Sequence, residues 1–152
     1  MITIPPGDGV RIETPLEQWH RIVLSQDAGA VCGLLAEDTI FYSPVAYTPQ
    51  RGREAAGRYL RAALRVFFNP SFRCVRKMTG PRDGLFEFET EIDGILVNAI
   101  DLLRWNGEGR VVEFKVMVRP LRAISLTQQR MAAMLESEQA GAPRRSNAHI
   151  GL

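Results

Sequence analysis

The stretch Leu85-Phe86-Glu87-Phe88-Glu89-Thr90-Glu91-Ile92-Asp93-Gly94-Ile95-Leu96-Val97-Asn98-Ala99-Ile100-Asp101-Leu102-Leu103-Arg104-Trp105 decides the fold. Its first part alternates with period two: Phe86, Phe88, Thr90 and Ile92 share one side, and Glu87, Glu89 and Glu91 share the other. That is a strand with one buried and one wet face. Asp93-Gly94 is a two-residue hairpin signal, so 95–105 is the return strand. Asn106-Gly107-Glu108-Gly109 makes a second turn, after which 110–119 reads as another strand, stopped by Pro120. Upstream, 72–78 is a further strand, joined to the first by Gly80-Pro81-Arg82-Asp83-Gly84. The spacing predicts an antiparallel meander.

Working back from the meander, the period changes to that of helices. Thr14-Pro15-Leu16-Glu17 is a helix start with a Thr cap, Pro at the first position and Glu at the third, and Leu16, Trp19, Ile22 and Val23 follow as one apolar stripe. Asp27 can cap a second helix over 28–36, with Val31, Leu34 and Leu35 facing the same core. Thr39-Ile40-Phe41-Tyr42 is a short strand ended by Pro44. Residues 54–67 form a third helix, with Tyr59, Leu60, Leu64 and Phe67 on its apolar stripe and Arg58, Arg61 and Arg65 on a solvated face. Helices first and a meander second predict an α+β fold. Beyond it, Met131, Met134 and Leu135 mark a C-terminal helix, and Pro143-Arg144-Arg145-Ser146-Asn147 offers nothing to bury. The expected organisation is an extension over 1–13, a domain over 14–124, a helix over 125–140 and a disordered tail over 141–152.

Composition narrows the function. The chain has 152 residues, 45% hydrophobic and 24% charged, which suits one globular domain. No run is long and apolar enough to span a membrane, and residues 1–10 lack the pattern of a secretory leader, so a cytoplasmic location is expected. Lys and Arg number 19 against 17 Asp and Glu; setting aside Arg144 and Arg145 leaves 17 against 17, too even for a nucleic-acid footprint. Cys32 and Cys74 lack redox or zinc spacing and are expected to be buried free thiols. No metal-ligand spacing, nucleophile elbow, P-loop or dinucleotide fingerprint occurs, and Gly7-Asp8-Gly9 is only a short flexible pair. Any chemistry is expected to be acid–base and free of cofactor or metal.

Asp101 is the carboxylate that could carry it. It sits between Ala99-Ile100 and Leu102-Leu103, apolar on both parities, so it is expected to be buried whichever face is inside. A buried carboxyl is paired or neutral, and a neutral one in an apolar cavity donates a hydrogen bond to a ligand oxygen. The structural alternative is an Asp spanned by Arg104 or Arg119. His20, beside the apolar stripe of the first helix, is a second acid–base candidate, whereas His149 lies in the tail.

The order of elements, together with Leu34-Leu35-Ala36-Glu37-Asp38-Thr39-Ile40-Phe41-Tyr42-Ser43-Pro44, Gly52-Arg53-Glu54-Ala55-Ala56 and Ile100 through Val112, resembles the NTF2-like superfamily, in particular its SnoaL-like and ketosteroid isomerase-like members. The resemblance implies a strongly curved antiparallel sheet closed by helices into a cone, an apolar pocket, and homodimerisation through the sheet. It puts Asp101 where ketosteroid isomerases keep a carboxyl neutral to donate to the substrate oxygen, and Phe114 and Val118 on pocket-lining positions. Two positions depart: Ser43 stands for the general-base Asp, and Trp19 for the oxyanion tyrosine. A serine without a base of its own does not abstract a carbon-bound proton, and indole is far less acidic than phenol. The expectation is therefore not a standard ketosteroid isomerase. It is a SnoaL-like protein that holds a small cyclic apolar molecule of polyketide, terpenoid or steroid type, with cofactor-free isomerase, cyclase or dehydratase chemistry. Asp101, His20 and Tyr42 are its catalytic candidates, and Trp19, Ser43, Tyr47, Tyr59, Phe86, Phe88, Phe114 and Val118 its pocket. The alternative is a non-catalytic binding or dimerisation module whose pocket is filled by its own side chains.

Overall fold

Thr14 and Pro15 start the first helix as their chemistry requires. The computed structural model describes residues 12–141, and α1 spans Pro15–Ser25 with Thr14 Oγ1 accepting from the Glu17 amide at 3.2 Å. A single 3-10 turn at Ala28–Ala30 leads into α2, Val31–Leu34. Strands β1 (Leu35–Tyr42) and β2 (Gln50–Arg51) come next, then α3 (Arg53–Val66). The meander is β3 (Arg73–Thr79), β4 (Asp83–Ile92), β5 (Ile95–Trp105) and β6 (Val111–Arg119), and α4 (Leu121–Gly141) is the last described element. The expected leader-free start, Gly7-Asp8-Gly9 and the tail residues beyond 141, His149 among them, lie outside the described residues.

The six strands form one curved sheet in the order β2-β1-β6-β5-β4-β3. Asp93 and Gly94, both at positive φ (51° and 76°), make the tight β4–β5 turn that the Asp-Gly pair predicted. Register shifts interrupt β3–β4 between Cys74 and Arg76, β5–β6 between Arg104 and Trp105, and β1–β6 between Leu35 and Ile40. Such bulges bend strands and raise their twist. At Gly84 a Cβ would come within 2.9 Å of Leu16, so the missing side chain lets α1 lie close on the sheet.

Three expectations are corrected. The sheet is mixed, because β1 runs parallel to β6; no hairpin ties the two together, so nothing local sets their relative direction. The second helix stops at Leu34 and not at 36, because Leu35 pairs with Val111 and enters β1; tertiary pairing overrides the helical preference of the Leu-Ala-Glu run. The C-terminal helix starts at Leu121 and not at 125, directly after Pro120. Both cysteines are free as expected but half-buried.

The core lies between one face of the sheet and the helices. From the sheet come Phe86, Phe88, Val97, Ala99, Leu103, Val111 and Phe114, and from the helices Leu16, Trp19, Ile22, Leu60, Leu64, Ala123 and Met131. The opposite face carries Glu87, paired with Arg76 at 2.7 Å, and Glu113, paired with Arg104 at 2.9 Å.

Candidate functional site

Asp101 lies mid-strand in β5, between Phe86 of β4 and Val116 of β6. Alternation turns it inward with Ala99 and Leu103, and it is only 2% exposed. Its one hydrogen bond among the described residues comes from the Trp19 indole, whose Nε1–H donates to Oδ2 at 2.9 Å. Trp19 is itself fixed by edge-on contacts with Phe114 (5.1 Å between centroids) and Phe68 (5.8 Å). Among the described residues no cation pairs with the carboxyl: Arg104 is held on the outer face by Glu113, and Arg119 forms no ion pair with Asp101. Burial therefore pushes the Asp101 carboxyl up to about 7, against the opposing pull of the Trp19 N–H.

Around this carboxyl is an apolar cavity of about 30 Å³. Phe41, Ser43, Pro44 and Val45 line it from β1 and the following loop, Tyr59, Leu60, Ala63, Phe67 and Phe68 from α3 and the residues after it, and Phe88, Phe114 and Val116 from the sheet. Thr127 and Met131 of α4 complete the wall. That volume holds a water molecule or two, well below the several hundred Å³ of a cavity occupied by a drug-sized ligand. The Ser43 hydroxyl accepts from the Val45 amide at 3.2 Å, a turn-stabilising bond at the end of β1.

Of the residues singled out in the sequence, Asp101, Trp19, Ser43, Tyr59, Phe88 and Phe114 come together here. The others do not line the cavity. His20 follows Trp19 on α1 but faces another way: its ring packs on Phe86 at 4.9 Å and its Nδ1 accepts from Lys77 Nζ at 2.8 Å. Burial, with Lys77 adding to it, lowers its pKa, so the imidazole is a neutral acceptor. Tyr42 is on the opposite side of β1 from Phe41, with Lys115 Nζ 5.0 Å from its ring centre. Tyr47 is fully exposed in the loop. Phe86 is buried beside the cavity, against Phe72 and Phe88, and on β6 it is Val116 that lines it, where Val118 had been expected. Sequence reasoning missed Phe67, Phe68, Val116, Thr127 and Met131. For the α4 pair a signal existed: Ala123, Thr127 and Met131 are spaced by four and share one helix face.

Among the described residues no cluster of three His, Cys, Asp or Glu side chains is placed to hold a metal, and no helix is long and apolar enough to cross a membrane.

Neither a family model nor a curated protein matches the sequence. Solved structures do. A steroid delta-isomerase from Pseudomonas aeruginosa is 30% identical, with 83% of this chain and 92% of that one covered at a TM-score of 0.78. An NTF2-like protein from Mesorhizobium loti is 20% identical over 70% of this chain and 88% of its own, with a TM-score of 0.61. SalBIII, an epoxide hydrolase/cyclase-like enzyme of pyran ring formation in the polyether salinomycin, shares the fold at 17% identity, covering 69% and 88%, with a TM-score of 0.55. With the helix–sheet architecture, the inward Asp101 and a 30%-identical relative covered nearly end to end, the chain belongs to the NTF2-like superfamily.

Proposed function

We propose that the protein binds a small cyclic apolar molecule bearing an oxygen, and that neutral Asp101 donates a hydrogen bond to that oxygen. The observation that carries this reading is the state of the carboxyl: 2% exposed, free of any cation, with Oδ2 occupied by Trp19 and Oδ1 accepting nothing from the described residues. The N–H on Oδ2 directs the proton to Oδ1, so an O–H is available for a carbonyl, epoxide or hydroxyl in an otherwise apolar chamber. A carboxyl titrating near 7 gives and takes protons at neutral pH, which suits isomerisation, ring closure or dehydration without a cofactor. Ser43 Oγ accepts from the Val45 amide, and proton transfer is assigned to Asp101. The steroid isomerase from P. aeruginosa and SalBIII, which share this fold, both handle cyclic molecules of this general kind by their names.

Entry of such a ligand requires the walls to part. Met131, flexible and unbranched, and the loop carrying Ser43, Pro44 and Val45 are the adaptable parts of the lining. The cavity volume favours a second reading, a closed module acting through its surface, including dimerisation through the outer sheet face, where Met78, Leu96 and Met117 are exposed.

Titration with 2-naphthol, followed by thermal shift and by naphthol fluorescence, separates the two. Binding to the purified protein with affinity reduced about tenfold or more in Asp101→Asn supports the pocket reading, since a hydrogen bond to a buried charged or acidic group is of that size. No binding, or equal binding by the variant, leaves the closed module as the better account.

A further inference from the structure

Two buried hydroxyls in the described structure have no hydrogen-bond partner, Thr39 Oγ1 and Thr127 Oγ1. Thr39 belongs to β1 and does not line the cavity, whereas Thr127 does, in the same enclosure as Asp101, and is 0% exposed. A hydroxyl stripped of water and left unbonded is destabilising, so a native protein that retains one commonly satisfies it with something absent from the bare chain. The neighbours on the same face of α4 are Ala123 and Met131, which pack in the apolar core; Thr127 alone interrupts that stripe with a polar atom. Valine has nearly the same shape and leaves no buried hydroxyl to satisfy.

We infer that Thr127 is a second polar contact for the ligand of this cavity, and that the ligand carries two hydrogen-bonding oxygens, one for Asp101 and one for Thr127. This rests on the ligand-pocket reading above. The two groups come from opposite ends of the chain's architecture, Asp101 from the middle of the sheet and Thr127 from the C-terminal helix, so recognition of a doubly oxygenated ligand depends on α4 being docked on the cone. A singly oxygenated ligand would satisfy Asp101 and leave the threonine unbonded, which is how a buried polar group discriminates against an analogue lacking its partner. The substrate class narrows accordingly to hydroxyketones, diols and similarly substituted cyclic molecules.

The test compares 2-naphthol with a set of dihydroxynaphthalene isomers on the wild-type protein and on Thr127→Val, Thr127→Ser and Asp101→Asn. The expected result is that at least one diol binds the wild type about tenfold more tightly than 2-naphthol. Thr127→Val abolishes that preference, the diol losing about tenfold more affinity than 2-naphthol, and Thr127→Ser retains it. The thermal midpoint of ligand-free Thr127→Val is expected to be equal to or above that of the wild type, because a hydroxyl hydrogen-bonded within the fold would lower it on removal. A lower midpoint, a diol preference that survives valine, or no preference in the wild type overturns the inference while Asp101-dependent binding of 2-naphthol still stands. Failure of every probe to bind the wild type overturns both readings together.

Discussion

Glu87 of β4 and Asp101 of β5 are carboxylates on adjacent strands, one residue out of step: Asp101 pairs across with Phe86, Glu87 with Ile100. Glu87 faces outward, accepts from Asn98 at 3.0 Å and pairs with Arg76 at 2.7 Å. Asp101 faces inward, its one hydrogen bond among the described residues comes from the Trp19 N–H, and burial pushes its pKa up to about 7. A single step of the pleat separates an ordinary ion pair from a carboxyl whose pKa burial raises. Residue type alone therefore says little about a carboxylate; the face of the sheet decides what it can do.

The same contrast orders the effects of mutation. Phe88, on the inner face, contacts Phe67, Phe68, Phe72 and Phe86, whereas Glu89, next to it, is outward and paired with Arg73. Phe88→Ala is expected to cost about 3–5 kcal/mol in chemical denaturation. Glu89→Ala is expected to change stability by about 0.5 kcal/mol or less. Comparable losses for the two would mean that the faces do not differ as described.

Asp101 gives the next largest effect. Between the ordinary carboxylate value of 3.8 and about 7, the folded protein holds a proton that the unfolded chain has released. This contribution to stability is fully present below 3.8 and is lost as pH rises through about 7. With those two values, the unfolding free energy should fall by about 2–3 kcal/mol from pH 5 to pH 8 on account of this group. Denaturant titrations at both pH values, on wild type and Asp101→Asn, read the difference directly. A variant that keeps the full pH dependence would show that the carboxyl is not the buried neutral group described here. The outer face again gives a small effect: Glu87→Gln should cost under about 1 kcal/mol, less in high salt, because Arg76 is largely exposed. A salt-independent loss would argue against a solvent-screened pair.

Much of the frame was legible without coordinates because it is written in short-range patterns. The alternation from Phe86 to Ile92, the Asp93-Gly94 turn and the Thr14-Pro15 cap each lie within a few residues of their partners, and each appears where the pattern put it. The direction of β1 and its start at Leu35 were not legible, since both follow from pairing with β6, far along the chain. The site divides in the same way. Asp101, inside a strand apolar on both parities, had to be buried, and Trp19 stood on a recognisable stripe. His20, Tyr42 and Tyr47 are close to site residues in sequence, yet a turn of helix, a step of pleat or a loop carries them elsewhere. Thr127 was passed over although its spacing with Ala123 and Met131 puts it on one helix face, because only the packing shows its hydroxyl to be buried and unpartnered.

The amino-acid order by itself determined the start of α1, the β4–β5 hairpin and the burial of Asp101, because local sterics and periodicity settle those. Only the tertiary structure decided that the indole of Trp19, 82 positions away, donates to Asp101, that Arg104 turns outward to Glu113, and that α4 lays Thr127 and Met131 over the same chamber. Those arrangements depend on which faces of distant segments are buried together, a global minimum of packing that no short window of sequence contains.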